Sequence, residues 1–244
     1  MKLSANSLLL IPTFNEALNI GSLITEIKLR FPLLQILVID DCSSDGTAEI
    51  VNELIISDSK IALLSRAEKS GLGNAYRAGF AWGMSKDFEY FIEMDADHSH
   101  RVEDLEKLLA QADNYDLTIG SRWINGGQII GWAKHREILS RFGSRYSRVV
   151  LGLNVHDCTS GFRVFSRRAL ECINLENLES NGYGFQVETL YRAHQSGLKV
   201  GEVPITFIER REGVSKMHGG IVLEAMWNVT KWGFFRLFSK FKFK

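Results

Sequence analysis

Short apolar runs alternate with helical patterns through the first half of the chain. The apolar runs predict the strands Ser7–Ile11, Gln35–Ile39, Lys60–Ser65, Tyr90–Met94 and Asp116–Gly120. The segments between them predict the helices Ala17–Arg30, Thr47–Ile56, Asn74–Met84 and Val102–Ala112. Regular alternation of strands and helices is typical of βαβ units. We therefore predict an α/β fold with a mostly parallel central sheet flanked by helices.

The second half of the chain has a less regular pattern. Trp123–Gly131 is rich in Gly, Asn and Gln, which predicts a mobile loop. The pattern then predicts a helix, a strand, a helix, an extended stretch and a charged loop, at Ala133–Leu151, Phe162–Phe165, Phe185–Ser196, Lys199–Ile208 and Glu209–Gly220. Because neither a repeat nor a linker interrupts residues 1–220, we expect them to form one domain.

The last segment, residues 221–244, is amphipathic and basic. It has no acidic residue after Glu224, while Lys231, Arg236 and three further lysines interleave with Trp232 and several phenylalanines. A segment of this type lies well in a membrane interface, where anionic lipid attracts it. The alternative is a helix that packs on its own domain and exposes a solvated basic face. We favour membrane contact.

The composition limits the cellular compartment in which the protein is expected and the class of molecule it is expected to bind. Acidic and basic residues balance at 29 each, so no global field favours nucleic acid. Cys42, Cys158 and Cys172 form no CxxC pair, which argues for a reducing compartment and against a disulfide framework or a thiolate zinc site. Each is expected to be a small buried side chain. With neither a signal peptide nor an apolar run of about 20 residues, the chain is expected in the cytoplasm, peripherally on a membrane.

Asp95 and Asp97 directly follow the fourth predicted strand. Ligands of open α/β sheets bind outside the carboxyl ends of the strands. Paired carboxylates there suit Mg²⁺, which takes one or two carboxylates together with substrate phosphate oxygens. The alternative is an acidic turn that caps the next helix through Asp97 or Ser99.

Carboxylates also follow the first two strands. Glu16 comes after the first strand, and Asp40 and Asp41 come after the second. Like charges crowded at one edge are hard to explain by packing, whereas a cation and a ligand with hydrogen-bond donors would account for them. Asp40 suits a nucleobase or a ribose hydroxyl. We expect Asp45, before Gly46, to be a helix N-cap instead.

A glycine pair opens the predicted helix after the third strand. Gly71 and Gly73 match two of the three glycines of a dinucleotide fingerprint, but Tyr76 occupies the third position. We therefore predict a tight turn that brings backbone amides near a ligand.

Basic residues cluster in the second half of the chain. Arg122 follows the fifth strand, Arg136 and Ser140 lie one turn apart on the next helix, and Arg210 and Lys216 flank a charged loop. Taken alone, each of these residues is explained as a solvated polar or charged side chain on the surface. As a set around the sheet edge that carries the carboxylates, they indicate a substrate with several phosphates. Arg binds phosphate oxygens through two parallel N–H donors, and Lys acts as a point charge.

Together these motifs resemble the polyprenol-phosphate mannosyltransferases, inverting glycosyltransferases of the dolichol-phosphate mannose synthase type with a GT-A, Rossmann-like fold. The resemblance runs from about residue 7 to residue 220, and its segments are Pro12–Glu16, Asp40–Thr47, Asp95–Asp97, Gly120–Arg122, Ser160–Arg163, Gly182–Glu188 and Arg210–Lys216. It implies a GT-A catalytic domain at residues 1–220 that transfers mannose from GDP-mannose to a polyprenyl monophosphate with inversion.

The resemblance also implies a role for individual residues. The nucleotide sugar would be bound by Pro12, Phe14, Glu16, Val38, Asp40, Asp95, Ala96, Asp97, Arg210 and Lys216. Asp95 and Asp97 would hold Mg²⁺ or Mn²⁺, and Arg122, Arg136 and Ser140 would bind the acceptor phosphate. The catalytic set would be Asp97, Arg122, Arg210 and Lys216.

The sequence departs from the resemblance at three points. Phe14 stands where Tyr is common, and Ser99 stands where some relatives carry a metal-binding Gln. The transmembrane tail of many relatives is missing, as in the branch that works with separate membrane subunits. Such a subunit and the membrane surface are therefore expected partners, in addition to the nucleotide sugar and the lipid phosphate.

Three other functions remain open at the level of sequence. A UDP-sugar such as UDP-glucose would be the alternative donor, because Asp40 alone cannot distinguish guanine from uracil. An aspartyl-nucleophile phosphatase or mutase would use the first Asp of the pair to attack phosphorus, but it would leave Asp40 without a role. A non-catalytic nucleotide-binding module that docks on a membrane partner is the third.

Overall fold

The computed structural model describes residues 5–180, 182, 184–210 and 219–241, with side chains of the last helix described from 224 to 236. The strands are β1 Ser7–Thr13, β2 Gln35–Asp40, β3 Ile61–Ser65, β4 Tyr90–Glu93, β5 Leu117–Ser121, β6 Gln128–Ile130, β7 Arg163–Ser166, β8 Val200–Pro204 and β9 Thr206–Ile208. The helices are α1 Ala17–Arg30, α2 Thr47–Ser57, α3 Leu72–Met84, α4 Val102–Leu109, α5 Lys134–Leu151, α6 Arg167–Ile173, α7 Gly184–Gln195 and α8 Gly219–Phe241.

The central sheet has the strand order β3-β2-β1-β4-β7-β5-β8 within the described residues. Strand β7 runs antiparallel to its neighbours β4 and β5, while the other pairs are parallel. The predicted α/β class and mostly parallel sheet are confirmed. Parallel strands end at a common edge, so β1, β2, β4 and β5 deliver the residues that follow them to one side of the molecule.

Strand β1 is the centre of the core. Leu8, Leu9, Leu10 and Ile11 are fully buried, as expected for a strand covered by helices on both faces. Leu8 and Leu10 pack on one face of the sheet, and Leu9 and Ile11 pack on the other. Burying each such side chain contributes about 1.5–3 kcal/mol, so this strand firmly fixes the edge at which it ends.

The segment Trp123–Gly131 is only partly the loop that its composition predicts. Its residues Gln128–Ile130 form β6, which pairs in parallel with β9 from Gln128 opposite Thr206 to Ile130 opposite Ile208. The prediction of a mobile loop is wrong for these residues. A strand of three residues is too short to show alternation, and its partner lies far away in sequence.

Two smaller expectations also differ from the structure. Helix α6 was not predicted, although Ser166 caps it by accepting a hydrogen bond from the amide of Ala169. Cys158 is buried as expected, but Cys42 and Cys172 are exposed. Both lie in short connecting or surface positions, where burial does not follow from residue type.

The C-terminal helix α8 begins at Gly219, two residues inside the loop that the sequence predicts. It packs on α7 through Trp232, whose ring stacks on Tyr191 with centroids 6.2 Å apart, and on α5 through a hydrogen bond of 2.7 Å between Tyr146 and Thr230. Its outer face exposes Trp227, which is 71% accessible. The alternative prediction, a helix that packs on its own domain, is therefore correct for the inner face of α8. Contact of the outer face with a membrane stays a prediction. Across the described residues, no helix combines the length and apolarity needed to cross a bilayer.

Candidate active site

The carboxylates at the ends of β2 and β4 lie on either side of the end of β1. Thr13 is opposite Asp40 in the pairing of β1 with β2, and Leu10 is opposite Glu93 in the pairing of β1 with β4. Asp95 leaves β4 two residues beyond Glu93, at the same edge. The structure thus brings together the clusters that the sequence predicted to share an edge.

Asp40 is buried and organises the loop after β2. Its carboxylate accepts hydrogen bonds from the hydroxyl of Thr13 at 2.8 Å, the amide of Ser43 at 2.9 Å and the hydroxyl of Ser43 at 2.5 Å. A carboxylate offers about four lone-pair sites, so little capacity is left for a ligand. Nearby, Val38 is fully buried in the core, and the ammonium of Lys69 lies 3.8 Å from the ring centroid of Phe14.

Asp45 fixes the start of two helices at this edge. It accepts hydrogen bonds from the amide of Thr47 at 3.1 Å in α2 and from the amide of Ala17 at 3.0 Å in α1. Burial alone would raise the pKa of Asp45, but these bonds and that from the Thr47 hydroxyl lower it. The prediction that Asp45 is the N-cap of α2 is wrong, because Gly46 occupies the N-cap position and no side chain caps the helix there. Asp45 lies one residue earlier and binds the first amide of the helix instead.

The pair Asp95 and Asp97 lies at the floor of a pocket. The side chain of Asp95 is 36% exposed and that of Asp97 is 11% exposed. Asp97 accepts a hydrogen bond from the amide of Ser99 at 3.1 Å, but α4 begins after Arg101, and no side chain caps it. The alternative in which Asp97 or Ser99 caps this helix is therefore wrong.

The two carboxylates fit a divalent cation that is completed by the substrate. Burial raises the pKa of Asp95; the nearby His100 opposes this effect, and the negative charge of Asp97 adds to it. A cation between the carboxylates would relieve that repulsion. Among the described residues, no third Asp, Glu, His or Cys joins Asp95 and Asp97 in a group that could hold a metal ion. The hydroxyl of Ser99 is buried and has no hydrogen-bond partner there. The remaining ligands would be phosphate oxygens and water.

His100 is a residue of the site that the sequence analysis missed. Its Nδ1 accepts a hydrogen bond from the amide of Asp95 at 3.2 Å, and its Nε2 lies 4.0 Å from the carboxylate of Asp95. The ring stacks on Phe162 with centroids 4.8 Å apart and meets the edge of Phe207 at 5.4 Å. Burial lowers the pKa of His100, although the charges of Asp95 and Asp97 oppose this effect. Nothing in the local sequence distinguishes His100 from other polar residues that precede a helix.

Arg210 reaches the carboxylate pair from the other end of the chain. Its Nη2 lies 3.5 Å from Asp97, and its side chain is 18% exposed. Lys216, the second basic residue predicted here, lies outside the described residues.

Arg122 forms part of the pocket wall and is held by a buried carboxylate. It donates to Asp157 from Nε at 2.7 Å, from Nη2 at 2.7 Å and from its backbone amide at 3.0 Å. Burial would raise the pKa of Asp157, but the charge and hydrogen bonds of Arg122 lower it. The sequence does not mark Asp157 as a site residue, because Asp157 follows no predicted strand. Much of the charge of Arg122 is therefore balanced within the protein.

Arg136 and Ser140 face the same pocket from α5. Nη1 of Arg136 contacts both carboxylate oxygens of Glu209, at 2.7 and 2.8 Å, and its guanidinium lies 4.1 Å from the ring centroid of Trp132. Ser140 lies 3.5 Å from the hydroxyl of Thr159, which also accepts a bond of 3.0 Å from Arg122. Thr159 thus connects the two acceptor-side residues predicted from the sequence.

Gln186 contributes a polar group at the back of the pocket. Its Nε2 donates to the buried carboxylate of Glu93 at 2.9 Å, while its Oε1 has no donor among the described residues. Burial raises the pKa of Glu93 to about 8, although Arg163 and the bond from Gln186 oppose this. The resemblance included Gln186 in a motif without assigning it a role.

One pocket joins most of these groups and has two unlike ends. Of the predicted residues it is lined by Asp95, Asp97, Arg122, Arg136, Ser140 and Arg210. Its other end lies between α5 and α8 and is lined by Leu139, Tyr146, Met226 and Val229. Pro12, Phe14, Glu16, Val38 and Asp40 do not line it and lie instead along the ends of β1 and β2.

Comparison with known proteins identifies the family. The undecaprenyl-phosphate mannosyltransferase of Micrococcus luteus is 44% identical to this chain over 93% of both. The polyprenol monophosphomannose synthase of Mycolicibacterium smegmatis is 44% identical over 93% of this chain and 86% of that protein.

A solved structure shares the fold. Glucosyl-3-phosphoglycerate synthase from Mycobacterium tuberculosis, in complex with Mn²⁺, UDP-glucose and phosphoglyceric acid, superimposes with a TM-score of 0.72 and 18% identity, covering 93% of this chain and 79% of that one. At that identity the likeness shows the GT-A-like fold alone. The profile described as Glycosyl transferase family 2 matches residues 9–173. With this match and relatives of 44% identity, the chain belongs to glycosyl transferase family 2.

Proposed function

We propose that this protein transfers mannose from GDP-mannose to a polyprenyl monophosphate, with inversion at the anomeric carbon. The names of both close relatives describe mannosyl transfer to a polyprenol or undecaprenol phosphate. The observation that carries the proposal is the pocket with two unlike ends. It joins a carboxylate pair and several basic residues to an apolar cleft between α5 and α8. A phosphate attached to an isoprenoid chain has the same two-ended character.

The donor is proposed to lie along the ends of β1, β2 and β4. Its nucleoside would contact Pro12, Phe14, Glu16 and the loop that Asp40 organises after β2, with the buried Val38 supporting that strand from within the core. Its diphosphate would contact Arg210, Lys216 and the backbone of Ala96. Asp95 and Asp97 would hold Mg²⁺ or Mn²⁺. When bound, such a cation neutralises the diphosphate and makes it a better leaving group.

The acceptor is proposed to enter between α5 and α8. Its phosphate would bind Arg136, Ser140 and Arg122, whose guanidinium Asp157 already holds in position. Its isoprenoid chain would contact Leu139, Met226 and Val229, which line the apolar end. Because the acceptor is a lipid, we also propose association with a membrane surface; the separate membrane subunit stays a prediction.

The reaction needs alignment more than proton transfer. The second pKa of a phosphate monoester is about 6, so the nucleophile is already an anion near neutral pH and needs no general base. A phosphate oxygen attacks the anomeric carbon while the bond from that carbon to the nucleoside diphosphate breaks on the opposite face. The protein would lower the barrier by fixing this geometry and by placing Arg122, Arg136 and Arg210 where two anions must approach.

The alternatives separate in one experiment. The purified chain is incubated with short-chain polyprenyl phosphate, Mg²⁺ and one labelled donor at a time: GDP-mannose, UDP-glucose or UDP-GlcNAc. We expect labelled lipid from GDP-mannose alone. Label from UDP-glucose alone would establish the alternative donor, and no labelled lipid from any donor would overturn the proposal. The phosphatase alternative no longer stands, because the family is one of glycosyltransferases.

A further inference from the structure

We propose that the outer face of α5 carries a binding site for the headgroup phosphate of an anionic phospholipid, distinct from the catalytic pocket. The site would hold the mouth of that pocket against the membrane. The purpose of this site rests on the proposed function, because the enzyme must reach a lipid acceptor in a bilayer. Binding of the headgroup to the site is testable without turnover.

A second pocket lies on the side of α5 that faces away from the active site. It is lined by Trp123, Arg141, Arg145, Arg148, Val149 and His156. Positions 141, 145 and 148 are spaced by four and three residues, so the three arginines share one face of the helix. The catalytic pocket uses a different face of α5, through Ser140, Gly143 and Ser147.

Two of the three arginines on this face, Arg145 and Arg148, carry charge that no carboxylate pairs with among the described residues, while His156 of the same pocket is paired with Glu202 at 2.9 Å. Arg141 pairs with Glu137 at 2.9 Å, and its guanidinium lies 4.2 Å from the ring centroid of Trp123. Arg145 and Arg148 are exposed, and neither forms an ion pair with any carboxylate in the described part of the chain. Two neighbouring guanidinium groups are well suited to phosphate oxygens, which they bind through paired N–H donors.

Large apolar side chains beside the arginines indicate a lipid as the source of the phosphate. Ile138, Phe142 and Val149 are 67%, 53% and 70% exposed. Their spacing of four and seven residues places them on one stripe of α5, next to the arginine face. A free phosphate would gain nothing from this stripe, whereas a membrane interface would bury it while anionic headgroups meet the arginines.

The stripe also borders the apolar end of the catalytic pocket. Phe142 stacks on Tyr146 with ring centroids 6.2 Å apart, and Tyr146 lines the pocket together with Leu139. A bilayer that covers Ile138 and Phe142 would therefore lie at the opening between α5 and α8. An acceptor lipid could then present its phosphate without leaving the membrane.

Vesicle sedimentation tests the site with the full chain. We expect binding to phosphatidylcholine vesicles that contain phosphatidylglycerol, weakening as salt rises, and little binding to phosphatidylcholine alone. Arg145→Glu/Arg148→Glu should lower the partition coefficient at least about tenfold, since each basic residue near an anionic surface adds measurably to binding. Ile138→Ser/Phe142→Ser should lower it as well. Every variant is first shown to have the melting temperature of the parent chain.

Matched variants on other surfaces serve as controls. Lys60→Glu/Lys86→Glu makes the same charge change, and Leu29→Ser/Ile56→Ser removes side chains that are 82% and 88% exposed on α1 and α2. Both should bind vesicles like the parent chain. The proposal is overturned if the arginine variant binds like the parent, if the controls lose as much binding, or if soluble glycerol phosphate at millimolar concentration displaces the vesicles.

A transfer assay separates this proposal from the proposed function. With a water-soluble, short-chain polyprenyl phosphate and no vesicles, Arg145→Glu/Arg148→Glu should retain the parent rate. A loss of rate there would assign the arginines to the active site and overturn the proposal. If the parent chain itself transfers no sugar, the proposed function fails, while the vesicle result still decides the headgroup site.

Discussion

At the scale of residues, buried partners hold the functional side chains in place. Asp157 aligns Arg122 through two side-chain hydrogen bonds of 2.7 Å, and His100 fixes the backbone of Asp95. Neither partner follows from the sequence pattern, because the loop that carries Asp157 is irregular and His100 resembles any polar residue before a helix. The sequence predicted the residues that would touch a ligand, but it did not predict the residues that hold them.

Replacing Asp157 by Asn should destabilise the protein strongly. The change leaves the guanidinium of Arg122 buried without a counter-charge, which costs about 3–5 kcal/mol of unfolding free energy. Urea denaturation at neutral pH measures this loss. The charge-free pair Arg122→Met/Asp157→Asn should recover much of the stability, and an unaltered midpoint in the single variant would show that the ion pair matters little.

The same carboxylate should contribute to acid sensitivity. The folded-state pKa of Asp157 is lowered below the ordinary value of about 3.9. Its contribution to stability is therefore present above that pH and is lost as the pH falls through the folded-state pKa. Between pH 5 and the acid limit of reversible folding, the unfolding free energy should fall less in Asp157→Asn than in the parent chain.

His100 should act on the metal site through the backbone of Asp95. His100→Phe keeps the ring stack on Phe162 but removes the acceptor of the Asp95 amide, so the affinity for Mn²⁺ with nucleotide should fall about tenfold or more. His100→Asn places an oxygen near the position of Nδ1 and should recover part of that affinity. Electron paramagnetic resonance of free Mn²⁺ measures both. Equal affinity in the Phe variant and the parent would remove the positioning role.

At the scale of elements, the sequence predicts the strands and helices that have a clear local pattern, and it does not predict those that depend on long-range pairing. Strands β1 to β5 and helices α1 to α4 match their predictions closely because each has a clear apolar period. Strand β6 could not be predicted, since it exists through pairing with β9, and composition alone indicates a loop there. The insertion of the antiparallel β7 between β4 and β5 likewise depends on tertiary contacts.

Close packing of α3 on the sheet explains its glycines. A Cβ at Gly83 would lie 2.5 Å from Leu8 and 2.7 Å from Phe91, both in the core. Gly83→Ala should therefore cost about 1–3 kcal/mol through overpacking. Gly143 in α5 is the matched control because a Cβ there meets nothing within 4 Å. Gly143→Ala should stabilise the helix by about 0.5–1 kcal/mol, and thermal unfolding that shows both variants equally stable would contradict this packing.

At the scale of the whole molecule, one edge of the sheet and two helices build the site. The strand ends supply the polar floor, while α5 and α8 supply the apolar walls. Because the composition becomes basic and aromatic after residue 220, the sequence predicted that residues 221–244 form a segment apart from the domain. In the structure, Val229 and Trp232 of α8 are 2% and 8% exposed, since they pack into the core.

Removal of residues 219–244 tests whether α8 belongs to the folded domain. Loss of the buried Trp232 and Val229 should lower the unfolding free energy by several kcal/mol. A segment that serves as a membrane contact alone would leave stability unchanged when removed. Chemical denaturation of the truncated chain distinguishes these outcomes, and Trp227→Ala, which alters an exposed position, is the control.

The most direct test of the central claim is isothermal titration of the purified chain with GDP-mannose, with and without Mg²⁺ or Mn²⁺. We predict that the cation raises the affinity at least about tenfold. In Asp97→Asn, which keeps the size of the side chain and removes its charge, this gain should disappear. Cation-independent binding, or an undiminished gain in the Asn variant, would contradict the claim that Asp95 and Asp97 bind the donor through a metal.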